Sequence, residues 1–158
     1  MNGRRDVLIC ALSLYLATAA QQSLARWTLL GGRFDFLLAA LSVLCLFAGR
    51  TGGAVLGFFS GWLYGALDGA NMWQYVFTRT IGGYLISWAF ESGIERNLVS
   101  ASLAGFLGVL GCQLAFMFLA PPAALTPFLG DTIRTAVYNG VFAMLLYAVF
   151  NRIFGPRR

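Results

Sequence analysis

The sequence contains no histidine and no lysine, three cysteines, and six acidic residues among its 158. With no His, and with Cys10, Cys45 and Cys112 each alone inside an apolar run, there is neither a zinc-site spacing nor a disulfide framework. The three thiols read as core packing, since an isolated Cys behaves as a small hydrophobe. The missing Lys excludes a phosphate-cradling loop, which needs Lys followed by Ser or Thr. All eleven basic residues are Arg, scattered over segment ends, so the net charge of +5 forms no stripe suited to a nucleic-acid backbone. No nucleophile has a base beside it and no acid pair lies within an apolar stretch, so acid–base or nucleophilic catalysis has no candidate residues. A protein that is not an enzyme, with no cofactor and no metal, is expected. Charged residues are only 11% of the chain, against roughly 25% in an average globular protein, which excludes a water-soluble fold.

What is present is hydrophobic, 59% of all residues. Six apolar stretches, four of them uncharged and two carrying a single Arg, predict an all-α membrane protein, a bundle of six transmembrane helices in one domain over residues 1–158. The spans are read as 7–25, 36–49, 51–67, 72–90, 98–120 and 133–150. The second is short: its 14 residues reach only ~21 Å at 1.5 Å per residue. Three of the four prolines fall in 121–127 and mark a loop there. Seven Arg lie on the side of both termini (Arg4, Arg5, Arg50, Arg96, Arg152, Arg157, Arg158) and four on the other (Arg26, Arg33, Arg79, Arg134), which places both termini in the cytoplasm. Trp27 and Trp73 are then expected at the outer interface and Trp88 near the inner one. The first eleven apolar residues after Asp6, followed by Ala17-Thr18-Ala19, also fit a cleavable signal peptide, although the apolar character continues to Leu24, long enough to span.

Glycine is patterned. Gly49, Gly53, Gly57, Gly61, Gly65 and Gly69 recur at every fourth residue, a small-residue seam that lets helix backbones approach closely in lipid. Each step turns 400°, so the row drifts ~40° per step around the helix. The Gly53 and Gly57 end is therefore expected to touch a different neighbour from the Gly61 and Gly65 end, and part of the seam is a candidate for a visiting helix. A second set, Ala101, Gly105, Gly108 and Gly111, predicts packing of span 5 on span 3 or span 6.

Ionisable residues near hydrocarbon are treated as functional candidates. Arg33, Asp35, Asp68, Arg79, Asp131 and Arg134 all fall toward the outer leaflet, three acids with three bases, and predict pairing at one end of the bundle. For Arg79, two turns into span 4, the expected partners are Asp68 first and Asp131 second. Glu91 and Glu95 stand four apart and repel on a helix, so their link reads as a solvated turn or a docking patch. Asn139 and Gln113 are candidates for bonds across helices.

Two segments carry a family resemblance. Arg33-Phe34-Asp35-Phe36-Leu37-Leu38, followed by Gly57-Phe58-Phe59-Ser60-Gly61-Trp62-Leu63-Tyr64-Gly65-Ala66-Leu67-Asp68-Gly69, resembles the signature of the MreD family, the rod shape-determining membrane proteins of bacteria. Tyr138-Asn139 and Tyr147 are similar to that family's last helix. Phe34 stands where the family usually has Pro, and Gly65 where it has Asp. The resemblance implies a non-catalytic subunit of the cell-elongation machinery in the bacterial inner membrane. Its implied partner is the single-span MreC, and through MreC the MreB filament, RodA and a penicillin-binding transpeptidase. An alternative of a different class is the solute-binding subunit of an energy-coupling-factor vitamin transporter, for which a polar pocket walled by Trp73, Arg79 and Asn139 is expected.

Overall fold

The computed structural model describes residues 4–24, 28–29 and 32–154. Trp27, Arg26, Arg157 and Arg158 lie outside the described residues. Six helices follow one another: α1 (Arg4–Leu24), α2 (Phe36–Cys45), α3 (Arg50–Asp68), α4 (Met72–Glu91), α5 (Leu98–Leu119) and α6 (Leu125–Phe154). A two-residue antiparallel pair, β1 (Thr28–Leu29) with β2 (Gly32–Arg33), lies in the link between α1 and α2. Of the six helices, α1, α5 and α6 are long and apolar enough to cross a membrane.

The short second stretch is the centre of the fold. Every residue of 37–46 is 4% exposed or less, and α2 is in contact with α1, α3, α4, α5 and α6. Ten residues make a helix of only about 15 Å, half a hydrocarbon core. It ends at Cys45, short of the expected 49, in a turn where Phe47 and Ala48 both donate to the Leu44 carbonyl, and α3 begins at Arg50.

Local chemistry sets the other ends. Asn97 caps α5 in a reciprocal capping box with Ser100. Ala120, before Pro121, leaves the helical region with φ −141° and ψ 83°, as a residue preceding proline tends to. The proline segment is shorter as a loop than expected, because α6 starts at Leu125 instead of 133. Pro127 is its third residue, where the missing N–H has no intrahelical partner to lose. Between α4 and α5, Gly93 takes φ +114° in an exposed link, and Arg50 Nε meets Glu91 Oε2 at 2.8 Å, both about half exposed. The Tyr147 hydroxyl donates to the Arg96 carbonyl at 2.6 Å, tying α6 to that link.

The glycine row corrects one expectation. Gly53, Gly57, Gly61 and Gly65 all face one neighbour, α4. A Cβ placed on Gly53 meets Ser87 and the Gly83 carbonyl, one on Gly57 meets the backbone of Arg79 and Thr80, one on Gly61 lies 2.5 Å from Val76 Cα, and one on Gly65 lies 2.7 Å from Met72 Cα. The contacted positions on α4 also step by about four residues, so two inclined ridges of the same kind lie together and a single antiparallel helix follows the drift. The seam is thus filled by α4 and leaves no space for a visiting helix. Gly69 is outside it: it is the left-handed C-cap of α3 (φ +71°), its N–H donating to the Gly65 carbonyl, and nothing lies within 4 Å of its Cβ position. In the second set, Gly105 packs on Ala143 of α6 and Gly108 on Ser42 of α2, while Gly111 meets nothing and no contact runs to α3.

These geometries separate glycines of one helix type by consequence. Gly57→Ala and Gly61→Ala push a methyl into the α4 backbone and are expected to lower the yield of monodisperse protein in detergent severalfold, whereas Gly111→Ala, at an open position, leaves it unchanged. Size-exclusion chromatography at matched expression is the measurement, and equal yields for all three variants contradict the close contact.

Candidate functional site

The charged residues divide by depth. Arg79 on α4 is 2% exposed and Asp35, just before α2, is 4% exposed. Arg79 Nη2 donates to Asp35 Oδ2 at 2.5 Å, Nη1 donates to Ser60 Oγ at 3.1 Å, and the guanidinium carbon lies 4.2 Å from the centroid of the Tyr64 ring. The other Asp35 oxygen accepts the Leu38 N–H at 2.9 Å, the N-cap of α2. One acid thus neutralises a buried cation and starts the central helix, while Ser60 and Tyr64 of α3 complete the guanidinium's shell. The expected partner was Asp68, the nearest acid in sequence. Asp68 is instead exposed at the end of α3, and the partner is the acid 44 positions away.

The approach to Asp35 is held from two sides. Gln21 of α1 donates through Nε2 to the Phe34 carbonyl (3.1 Å) and accepts the Phe36 N–H at Oε1 (2.8 Å), spanning Asp35. Thr135 of α6 accepts the Arg33 N–H at 3.3 Å. Phe34 packs its ring 5.5 Å from both Phe36 and Tyr138. Nothing in sequence periodicity marks Gln21, Ser60, Tyr64 or Thr135. The available signals were the polar pair Gln21-Gln22 inside an apolar helix and, for Ser60 and Tyr64, their place in the quoted segment 57–69.

Depth explains what lies above. Arg79 is seven residues into α4 and Ser60 eight before the end of α3, so the ion pair is about 10 Å below those helix ends. Because α2 begins only there, its neighbours stand around an open space of about 620 Å³. Arg33, Asp35, Asp68, Gln113 and Asp131 line it together with Tyr64, Thr132 and Thr135. Arg79 and Arg134 do not line it; Arg134 sits 3.9 Å from Asp131 on the exposed surface of α6. The six charged residues therefore form a deep pair, a loose surface pair and two exposed rim residues rather than one cluster.

Three further expectations change. Asn139 is completely buried, but its Nδ2 donates to the Thr135 carbonyl of its own helix at 2.7 Å, so it does not bridge helices. Gln113 bonds to no described residue and faces the cavity. Trp73 points outward at 62% exposure and Arg79 and Asn139 are enclosed, so none of these three walls the polar cavity. Elsewhere, a shallow apolar recess of about 450 Å³ runs between α4 and α5, floored by Gly82, Gly108, Gly111, Ala104 and Cys112. Compared with known protein families, with curated proteins and with solved structures, the chain matches none of them.

The pairing has a direct test. Asp35→Asn retains an oxygen for the Leu38 cap yet leaves Arg79 buried without a counter-charge, and is expected to cost about 3–5 kcal/mol. Asp68→Asn, at the exposed rim, is expected to stay within about 0.5 kcal/mol of the parent. The double change Asp35→Asn with Arg79→Gln restores part of the loss, because no isolated charge remains. Thermal unfolding in a mild detergent reads all three, and the reverse order of the two Asp variants makes Asp68 the partner.

Proposed function

We propose that the protein is a six-span integral protein of the bacterial inner membrane that acts without catalysis, as an MreD-like subunit of the cell-elongation machinery. The observation that carries this reading is the convergence of its two family-like segments on Arg79: Asp35 from the first and Gly57, Ser60 and Tyr64 from the second all touch that residue. Membrane embedding is supported by an inside-out distribution. Large apolar side chains such as Leu8, Tyr15, Phe59, Trp62, Leu107 and Phe118 stand exposed, while Ser42, Ser60, Ser87 and Asn139 are enclosed. Trp73 and Trp88, exposed near opposite ends of α4, suit an aromatic belt on each side.

On this reading α3 and α4 cross together as a glycine-sealed hairpin, α2 forms a half-length core, and the arginine asymmetry places both termini in the cytoplasm. The partner is an MreC-like single-span protein, linked in turn to MreB, RodA and a penicillin-binding transpeptidase. Its helix does not lie on α2, which has no outer face, nor in the filled seam. It uses the apolar perimeter, where the α4–α5 recess floored by small residues is one place a helix can approach closely.

Topology and partner are tested separately. Reporter fusions at Ala70, Glu95 and Ala124 are expected outside, inside and outside; an outside signal at Glu95 removes the crossing assigned to α4. Tagged protein purified from its native membrane is expected to bring down the MreC-like protein, and its depletion to round the cells. Recovery of a transporter ATPase module from cells that keep their shape selects the vitamin-transporter subunit instead.

A further inference from the structure

The recess between α4 and α5 is a slot whose walls leave no polar group unsatisfied. One end is closed where the Tyr75 ring of α4 stacks on Phe116 of α5, centroids 4.5 Å apart, next to the lining residues Phe77 and Ala115. The other end is reached at Ile94 and Ser100, in and just after the α4–α5 link, which is the cytoplasmic side in the proposed topology. Thr78, Ser100 and Cys112 are the polar residues of the lining, and each is bonded within the protein. Thr78 Oγ1 donates to the Gln74 carbonyl at 2.9 Å, Ser100 Oγ to the Glu95 carbonyl at 2.6 Å, and Cys112 Sγ to the Thr78 carbonyl at 3.5 Å. Leu85, Leu103 and Leu107, each about half exposed, form the rims.

Dimensions decide between occupants. From Phe77 to Phe90 on α4 the lining runs about 20 Å at 1.5 Å per residue. Spread over that length, the volume of about 450 Å³ gives a mean section of roughly 22 Å². A polymethylene chain packed at carbon contacts of about 4 Å needs roughly 16–20 Å². A helix about 10–12 Å across needs roughly 80–110 Å². A helix laid against this side therefore presses only side chains into the slot, whereas one acyl chain fits along its length. An empty slot forfeits dispersion contacts on both walls. Its length also exceeds the ~15 Å depth of one leaflet, so a seated chain is held straight.

The charges at the link select the headgroup. Glu91 is engaged by Arg50 at 2.8 Å. Glu95 and Arg96, between the lining residues Ile94 and Ser100, are both exposed and make no ion pair among the described residues. One free acid and one free base thus stand side by side, the complement of a zwitterion whose phosphate meets Arg96 and whose primary ammonium donates to Glu95. An anionic headgroup gains the Arg but is opposed by the Glu, and a quaternary ammonium has no N–H to donate.

We propose that the α4–α5 recess seats one acyl chain of a phosphatidylethanolamine from the cytoplasmic leaflet, its headgroup between Glu95 and Arg96, in the protein with no partner helix on that side. The seat takes its leaflet from the proposed topology and nothing from the elongation reading. The reporter fusions test that topology, whereas lipid is counted on the isolated protein, so either can fail alone.

Native mass spectrometry of the full-length protein, delipidated in mild detergent and titrated with phosphatidylethanolamine, phosphatidylglycerol or phosphatidylcholine of equal chain length, is the measurement. One phosphatidylethanolamine per protein is expected to stay bound, at least about tenfold tighter than phosphatidylglycerol and severalfold tighter than phosphatidylcholine. Gly111→Leu fills the slot from a position where an added Cβ meets nothing within 4 Å, and is expected to lose that lipid with its unfolding temperature unchanged. Ala66→Leu, on the exposed side of α3, is expected to keep it. Glu95→Gln is expected to erase the margin over phosphatidylglycerol, and Arg96→Gln to weaken all three lipids severalfold. No retained lipid, equal retention in Gly111→Leu, loss in Ala66→Leu as well, or either comparison lipid bound as tightly as phosphatidylethanolamine overturns the proposal. A dimer that Gly111→Leu abolishes, found in place of the lipid, gives the recess to a second copy and overturns it too.

Discussion

A guanidinium enclosed by helices has to be neutralised where it lies, and in this fold that requirement fixes where a helix begins. Arg79 cannot reach water, being 2% exposed, and an unpaired Arg within hydrocarbon is costed at several kcal/mol on insertion scales. Its counter-ion is the N-cap of α2. Asp35 therefore has to lie at the depth of Arg79, and the chain between α1 and α2 has to descend into the bundle to deliver it. The short central helix, the descending link with its grip from Gln21 and Thr135, and the open space above all follow from that one placement.

The glycine seam provides the second half of the geometry. With Gly57 against the backbone of Arg79 and Thr80, the register between α3 and α4 is fixed by contact of main chains, which do not change rotamer. Ser60 and Tyr64, one and two turns further along α3, then meet the guanidinium on its remaining sides. A larger residue in the seam moves α4 outward and Arg79 with it, away from both Asp35 and its α3 partners. Packing and electrostatics are coupled here, because in lipid close packing must supply the association that the hydrophobic effect supplies in water.

The reach of the sequence follows from which constraints are local. Most helix positions were legible because apolar runs and Pro121 act within a few residues, whereas the start of α6 at Leu125 and the end of α2 at Cys45 fall away from the expected 133 and 49. The seam was legible as a row of small residues, but its partner was not: the drift of the row predicts two neighbours only if the partner is straight along the α3 axis, and α4 presents a row with the same slant. Asp68 is the acid nearest Arg79 along the chain, yet a helical hairpin carries residue 68 to its end while it brings residue 79 one-third of the way down. Asp35 was visible as an acid near the boundary of a short stretch. Its role as cap and counter-ion depends on that stretch being a buried half-length helix, which no periodicity distinguishes from a truncated span. Asn139 was a sound candidate for bridging by residue type, but the carbonyl one turn back on α6 reached it first.

A core helix of half length leaves its neighbours without a packing partner over their last turns, and an empty apolar cavity there forfeits dispersion contacts on every wall. Filling the level with side chains demands either a longer α2, which displaces Asp35 from Arg79, or large residues on α1, α3, α5 and α6. The sequence keeps α2 short and fills the level only in part, with Leu24, Tyr64, Leu67 and Phe128. It places Gln21, Gln113, Thr132 and Thr135 on those helices, groups that hold water or a polar ligand, since a roomy cavity with several polar partners is a hydrated one. Gln21 and Thr135 hold the α1–α2 link through their polar groups, while Gln113 and Thr132 present theirs to the space above it. The fold separates its surfaces accordingly: an apolar perimeter suited to lipid and to other helices, and at one end of the bundle a polar cavity whose floor is the ion pair that positions the core.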